Sequence, residues 1–240
     1  MAPPLTVIVP CYNEAARLPG FFALIDAHPE LTWEWLFVDD GSRDATPAML
    51  REFAAAHPGH VSLHTQPANC GKGAAVRAGL LAAQGELVGY VDADLAASPL
   101  QFARFLTEPD LRAGRELIVG IRVLTQDGRV KRYFYRHLMG RAFQTYASVL
   151  TGLTVYDTQC GFKLMARATA RALAARMRTD GFGFDVELLL LAHRDGLHLR
   201  EEMITWVEQG QSKVRPRHLL LMALEVWRIS RRAYEPPPAA

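Results

Sequence analysis

The sequence predicts an α/β fold in which a mostly parallel sheet carries helices on both faces. The first half of the chain alternates short β-branched or apolar runs with amphipathic stretches of helical length, which is a βαβ succession. The 240 residues, 50% hydrophobic and 22% charged, suit one large domain with a sizeable core and exclude a disordered or collagen-like chain. Polar and acidic residues also gather directly after the apolar runs. That is where open parallel sheets bind ligands, in the crevice beyond the carboxyl ends of the strands.

In order, Leu5 to Val9 reads as a strand, Glu14 to His28 as a helix, Trp35 to Val38 as a strand, Thr46 to His57 as a helix and Val61 to Thr65 as a strand. A helix from about Gly73 to Gln84, a strand at Leu87 to Val91, a helix after Pro99 and a strand at Leu117 to Val119 follow. The second half is less regular. It reads as a helix near Tyr133 to Leu150, a strand near Gly161 to Met165, helices near Thr169 to Met177 and Asp185 to Arg194, a strand near Leu197 to Ile204, and a last helix from about Pro216 to Ala233. These divide into a domain over 1–215, a C-terminal amphipathic helix over 216–233 and a frayed tail over 234–240.

The longest apolar stretches, such as Leu219 to Leu224, fall far short of the roughly 18 residues that a spanning helix needs, so none is expected. Met1-Ala2-Pro3-Pro4 lacks a basic leader, and no secretory signal is expected either. The cysteines Cys11, Cys70 and Cys160 have no metal-ligand spacing and read as reduced thiols of a cytoplasmic protein. A net charge of +2 gives no reason to expect nucleic-acid binding. The charge is uneven, however: from Arg112 to Arg141 eight basic residues face two acidic ones, Glu116 and Asp127. This stretch reads either as a solvated basic face, which charge alone favours, or as the seat of an anionic partner.

Three strand ends carry the chemistry. The first is followed by Pro10-Cys11-Tyr12-Asn13-Glu14, the second by Asp39-Asp40-Gly41-Ser42 and the fourth by Asp92-Ala93-Asp94. Carboxylates gathered at one sheet edge repel one another unless a cation or a donor-rich ligand lies between them. An Asp-x-Asp at a strand exit can supply oxygen ligands to Mg²⁺ or Mn²⁺, a combination suited to a diphosphate. No Gly-x-Gly-x-x-Gly opens the first helix, and Gly71-Lys72-Gly73 lacks the other residues of a P-loop, so it reads as a turn and helix start.

These motifs, with Gly71-Lys72-Gly73-Ala74-Ala75-Val76-Arg77, resemble inverting family 2 glycosyltransferases of the GT-A fold. Asp157-Thr158-Gln159-Cys160-Gly161-Phe162-Lys163, Phe184-Asp185-Val186-Glu187-Leu188-Leu189 and Trp206-Val207-Glu208 with Ser212-Lys213 look like the dolichyl-phosphate β-glucosyltransferases and their bacterial polyprenyl-phosphate relatives. The resemblance covers about residues 5–217 and implies transfer of glucose from UDP-glucose to a polyprenyl phosphate with Mg²⁺ or Mn²⁺, at the inner face of a membrane. It implies that Pro10, Tyr12, Glu14 and Asp40 hold the nucleoside, and that Asp92, Ala93 and Asp94 bind the sugar nucleotide, with Asp92 and Asp94 on the metal. It further implies that Arg122, Arg136, Lys213 and Arg215 surround the donor diphosphate and the acceptor phosphate. Asp185 and Glu187 are expected to orient sugar hydroxyls, and Lys163 to be structural or to lie beside the sugar. Ala96 stands where mannosyl relatives carry a polar residue supporting the metal. A donor of GDP-mannose, a saccharide acceptor, or a non-catalytic sugar-nucleotide-binding subunit are the alternatives.

On the last helix, at 100° per residue, Arg217, His218, Glu225, Arg228, Arg231 and Arg232 fall within an arc of roughly 140°. Leu219, Leu220, Met222, Ala223, Leu224, Val226, Trp227 and Ile229 are assigned to the opposite side. That side reads equally as a membrane-interface face and as a surface packed on the domain or on a second subunit.

Overall fold

The computed structural model describes residues 2–122, 133–207 and 216–235, without the side chains of 133–139 and 216–218. In chain order the elements are β1 (Leu5–Cys11), α1 (Leu18–Asp26), β2 (Glu34–Asp39), α2 (Thr46–Ala56), β3 (Val61–Thr65), α3 (Lys72–Ala82), β4 (Leu87–Val91), a 3₁₀ turn (Pro99–Phe105), α4 (Pro109–Arg112) and β5 (Glu116–Arg122). They continue with α5 (Tyr133–Thr151), β6 (Phe162–Ala166), α6 (Arg167–Ala174), α7 (Phe184–Arg194), β7 (His198–Ile204) and α8 (Pro216–Arg231).

The strands form one sheet in the order β3-β2-β1-β4-β6-β5-β7. β1 is parallel to β2 and β4, β2 to β3, and β5 to β7. Only β6 runs the other way, antiparallel to both β4 and β5. The sheet is therefore mostly parallel, as expected, and the one reversed strand matters for the site. The carboxyl ends of β1, β2, β4 and β5 share one edge, and the loop entering β6 arrives at that same edge.

Side-chain alternation along β1 divides the core. Leu5, Val7, Val9 and Cys11 pack with Leu18, Phe21 and Ile25 of α1 and Leu50 and Phe53 of α2, whereas Ile8 faces Ala75, Val76 and Leu80 of α3 and the residues of α6, α7 and α8. From Phe184 to Ala192 every residue of α7 is buried. A helix covered all round is a core element, so any charge it carries must find a partner inside the protein.

Three expectations are corrected. The helix expected from Glu14 begins at Leu18, because the amides of Arg17 and Leu18 turn back onto the Glu14 carbonyl at 2.8 and 3.0 Å and Pro19 occupies the first turn. The strand expected at Leu117 to Val119 runs on to Arg122, which places that residue at the carboxyl edge of the sheet. On α8, Met222, Val226 and Ile229 are buried, but Leu224 and Trp227 are 53% and 48% exposed and share the outer face with Leu220, Leu221, Arg228 and Arg231. Among the described residues no helix is long and apolar enough to cross a membrane.

Candidate active site

The ends of β1 and β2 are locked together by their own polar groups. The Asp40 amide donates to the Cys11 carbonyl at 2.8 Å, and the Asn13 amide to Ser42 Oγ at 2.9 Å. Asn13 Oδ1 accepts the Arg43 amide at 2.8 Å, and Thr46 Oγ1 accepts the Glu14 amide at 2.8 Å. Asn13 adopts a left-handed backbone with φ 52°, which Asn tolerates better than most residues. Pro10, Tyr12 and Glu14 are half-buried along this edge, with the Glu14 carboxylate 3.0 Å from Arg17.

Asp40 is buried, and its two carboxylate oxygens accept the amides of Cys70 at 2.7 Å and Gly71 at 2.9 Å. Burial pushes its carboxyl above the usual carboxylate value, against the pull of those two amides. Its visible work is to fasten the turn that starts α3. Gly71 there has φ +106°, and a Cβ would run into the Asp180 carbonyl oxygen.

That turn presents a side chain the sequence did not single out. Lys72 Nζ lies 2.6 Å from Asp92 Oδ1 and 5.7 Å from the centre of the Phe184 ring. Burial works against the Lys72 ammonium, but Asp92, Asp185 and Asp94 outweigh it and raise its pKa. Burial likewise opposes the Asp92 carboxylate, yet Lys72, then Lys163 and Arg122, hold its pKa below the usual carboxylate value. Asp92 rests against Gly161, where a Cβ would strike its carboxylate. Ala93 is buried, and Asp94 Oδ1 accepts the Ala96 amide at 3.0 Å. Leu95 follows with φ 57°, a strained exit for a branched residue that swings the chain away from β4.

Among the described residues no three His, Cys, Asp or Glu side chains gather into a metal cage. Asp92 and Asp94 supply carboxylates alone, beside an edge that is open to diphosphate oxygens. This donor set fits Mg²⁺ or Mn²⁺, since Mg²⁺ in particular is held by one or two carboxylates plus substrate phosphates and waters.

Arg122 makes a two-pronged contact with Asp157, Nε to Oδ2 at 2.6 Å and Nη2 to Oδ1 at 2.9 Å, and lies over the Trp206 ring at 5.7 Å. Asp157, against the opposing effect of burial, raises the guanidinium's pKa, so Arg122 is a permanent cation. The basic stretch it belongs to is not one continuous face. Arg112 pairs with Glu86 and Arg115 with Asp110, away from this edge, while Arg141 lies 4.7 Å over the Tyr156 ring. Lys213 and Arg215 lie outside the described residues, as does the side chain of Arg136 in α5.

Asp185 and Glu187, expected to orient sugar hydroxyls, are both buried on α7. Asp185 Oδ1 accepts Lys163 Nζ at 2.7 Å and the Tyr90 hydroxyl. Glu187 points elsewhere: Oε2 accepts the Arg178 and Thr179 amides at 2.9 and 2.7 Å, and Oε1 accepts Arg232 Nη1 at 2.9 Å and the Tyr234 hydroxyl at 2.7 Å. Glu187 joins α7 to the end of α8 and has no oxygen left for a ligand. Two residues apart on a helix is roughly 200°, so the pair could not share a face. Besides Lys72, sequence reasoning passed over Asp157 and Gly161 as single residues; their roles arise from contacts across the sheet and leave no local signal.

Residues 6–173 match the family model described as Glycosyl transferase family 2. A dolichyl-phosphate beta-glucosyltransferase of Trichomonas vaginalis is 34% identical over 240 residues, covering 94% of this chain and 70% of the relative. The Drosophila melanogaster protein of that description is 34% identical over 226 residues, covering 88% and 69%. Among solved structures, glucosyl-3-phosphoglycerate synthase from Mycobacterium tuberculosis in complex with Mg²⁺ and uridine-diphosphate superposes with a TM-score of 0.64 at 20% identity, covering 94% of this chain and 77% of that one.

Proposed function

Because the chain belongs to glycosyl transferase family 2, we propose that it is an inverting transferase moving glucose from UDP-glucose to a polyprenyl phosphate. The observation that carries the reading is the meeting of opposite charges at one sheet edge: Asp92 and Asp94 beside the fixed cations Lys72 and Arg122. Such an edge can bind a diphosphate and hold it as it departs.

In the reaction an acceptor phosphate oxygen forms a bond to the anomeric carbon from the face opposite UDP. The bond from that carbon to the diphosphate oxygen breaks, and UDP leaves with the electron pair. A phosphate monoester is largely ionised at neutral pH, its second pKa being about 6, so no general base is required. The burial of Asp185 on a lysine agrees with that. The difficulty lies in the charge that develops on the leaving group, where preorganised cations act most strongly. Lys72 and Arg122 fill this role on the protein side. A divalent ion held by Asp92 and Asp94 would add neutralising charge on the diphosphate. Tyr12 and the edge around Asp40 would receive the nucleoside.

The outer face of α8 fits the proposed acceptor. Leu220, Leu221, Leu224 and Trp227 are exposed among Arg228 and Arg231, and α5 packs alongside with Val149 78% exposed. Apolar side chains interleaved with arginines suit the surface of an anionic bilayer, where a lipid phosphate would be met at the cytoplasmic face.

The direct test supplies radiolabelled UDP-glucose and Mn²⁺ with undecaprenyl phosphate in detergent, and in parallel GDP-mannose and simple saccharide acceptors. Glucosyl lipid and stoichiometric UDP are expected. Transfer only to saccharides, or a preference for GDP-mannose, would contradict the assignment.

A further inference from the structure

Lys163 occupies an unusual place. It sits in the middle of the sheet on β6, opposite Tyr90 of β4 and Val119 of β5, with its side chain fully buried. A buried ammonium is retained only if its hydrogens are all satisfied. Here they are: Nζ donates to the Thr158 carbonyl at 3.0 Å, the Cys160 carbonyl at 2.6 Å and Asp185 Oδ1 at 2.7 Å. Asp185 is held in turn by the Tyr90 hydroxyl.

Two of those three acceptors belong to the loop entering β6. The chain curls around its own lysine, and the same few residues make two contacts with the reaction edge. Asp157 grips Arg122, and Gly161 lies against the Asp92 carboxylate. The loop has a second fastening, since the Thr158 hydroxyl donates to Gln144 Oε1 of α5 at 3.0 Å. Gln144 holds the loop from α5; Lys163 holds it from within the sheet, next to both functional groups.

We infer that Lys163 is a positioning residue for transfer: its ammonium fixes loop 157–161 and, through Asp157 and Gly161, sets the Arg122 guanidinium and the Asp92 carboxylate at the spacing that a departing diphosphate requires. Asp185 is the counter-ion that keeps this buried cation in place. The inference rests on the proposed reaction for its rate readouts, and on the loop geometry alone for its structural ones.

A single Lys163→Met change would leave Asp185 as an uncompensated buried charge and could unfold the chain, so the test uses the pair Lys163→Met/Asp185→Asn, which removes both charges and leaves Tyr90 an acceptor. With the full-length protein, hydrogen exchange over residues 155–161 should quicken while β1 and β2 stay protected. The kcat for UDP-glucose and undecaprenyl phosphate should fall about 100-fold, the scale of a small misplacement of reacting groups. Because part of its action runs through Arg122 and part through Asp92, adding the pair to Arg122→Ala should cost clearly less than the factor it costs in the unsubstituted protein.

Unchanged exchange in the loop, or losses that multiply fully in the Arg122→Ala background, would overturn the inference and leave Lys163 a core ion pair. Should the unsubstituted protein fail to transfer glucose at all, the proposed reaction falls, and UDP affinity with Mn²⁺ by calorimetry decides this question instead. Weaker UDP binding together with a loosened loop would uphold the positioning role; unchanged binding would reject it.

Discussion

At the ends of β1 and β2, side chains grip backbone; between β4, β5 and β6, they grip one another. Ser42, Thr46, Asn13 and Asp40 each accept a main-chain amide 29 to 32 positions away, so the first region is a set of side-chain-to-backbone clasps between the exits of β1 and β2 and the start of α3. The second region consists of ion pairs, Lys72 with Asp92, Arg122 with Asp157 and Lys163 with Asp185, whose members stand 20, 35 and 22 positions apart. Damage to the first should appear as lost stability. Damage to the Lys72–Asp92 or Arg122–Asp157 pair should appear as lost rate, because under the proposed reaction these two pairs stand where charge changes.

The largest effect is expected where the second region meets the proposed metal site. Asp94→Ala removes one of two carboxylates from a site with no third protein ligand among the described residues. Charge stabilisation by a bound metal is worth several kcal/mol, so divalent-dependent turnover should fall by about a thousandfold or more. Binding of free uridine, measured by calorimetry, should survive because Tyr12 and Asp40 are untouched. Near-normal Mn²⁺-dependent turnover in this variant would remove Asp94 from the metal site.

Two glycines then put the regions side by side. In Gly161→Ala the new Cβ strikes the Asp92 carboxylate, and kcat should drop about 100-fold, as small displacements at a reacting centre do, with the melting temperature almost unmoved. Gly41 has φ +66°, and its Cβ would meet the backbone of Ala68 and Asn69. Gly41→Ala should therefore cost about 1–3 kcal/mol of stability from backbone strain alone, read in urea titration, before any rate effect appears. If Gly161→Ala unfolds the protein and Gly41→Ala merely slows it, the two regions have the opposite roles.

Smaller again is the separation of Arg122 from its partner. Arg122→Ala removes the charge-assisted contact proposed to the diphosphate, a kind worth about 1.5–3 kcal/mol, or roughly 10- to 150-fold in kcat/KM. Asp157→Asn keeps the guanidinium and frees its orientation, and should cost less. Equal losses from the two would mean that position, and not charge, is what Arg122 contributes.

The same contrast explains what could be read from the amino acids. Pro10 to Glu14, Asp39 to Ser42 and Asp92 to Asp94 are consecutive residues at strand exits, and both their chemistry and their place at the sheet edge follow from local order. The alternation of strands and helices likewise reached the fold class. Lys72 looked like an ordinary helix start because its partner lies across a βαβ unit. The antiparallel run of β6 was hidden for a related reason: direction in a sheet depends on the connections, and an apolar run reads alike both ways. The separate partners of Asp185 and Glu187 were hidden as well, because α7 is covered all round and each carboxylate serves a different neighbour across the fold.

The smallest effect concerns the prop behind the first region. The loop at 180–183 receives the Gly73 amide on the Asp180 carbonyl at 2.8 Å, and Glu225 of α8 holds that loop by accepting the Gly183 amide at 2.7 Å. Burial raises the Glu225 carboxyl above its ordinary value, against the Gly183 amide and the nearby Arg228 and Arg232. A carboxyl whose pKa is raised by folding contributes stability that is fully present below its unfolded value of 4.5 and is lost as pH climbs through the raised folded value. Glu225→Gln keeps an oxygen for Gly183 and cannot titrate. The melting temperature of the unsubstituted protein should thus exceed that of Glu225→Gln by more at about pH 4 than at about pH 7. Thermal melts of the two proteins at those pH values measure the difference. A gap that widens towards neutrality would mean that the Glu225 carboxylate is stabilised by Arg228 and Arg232 more than burial disfavours it, and that α8 clamps the α3 turn as an ion pair and not as a shielded acceptor.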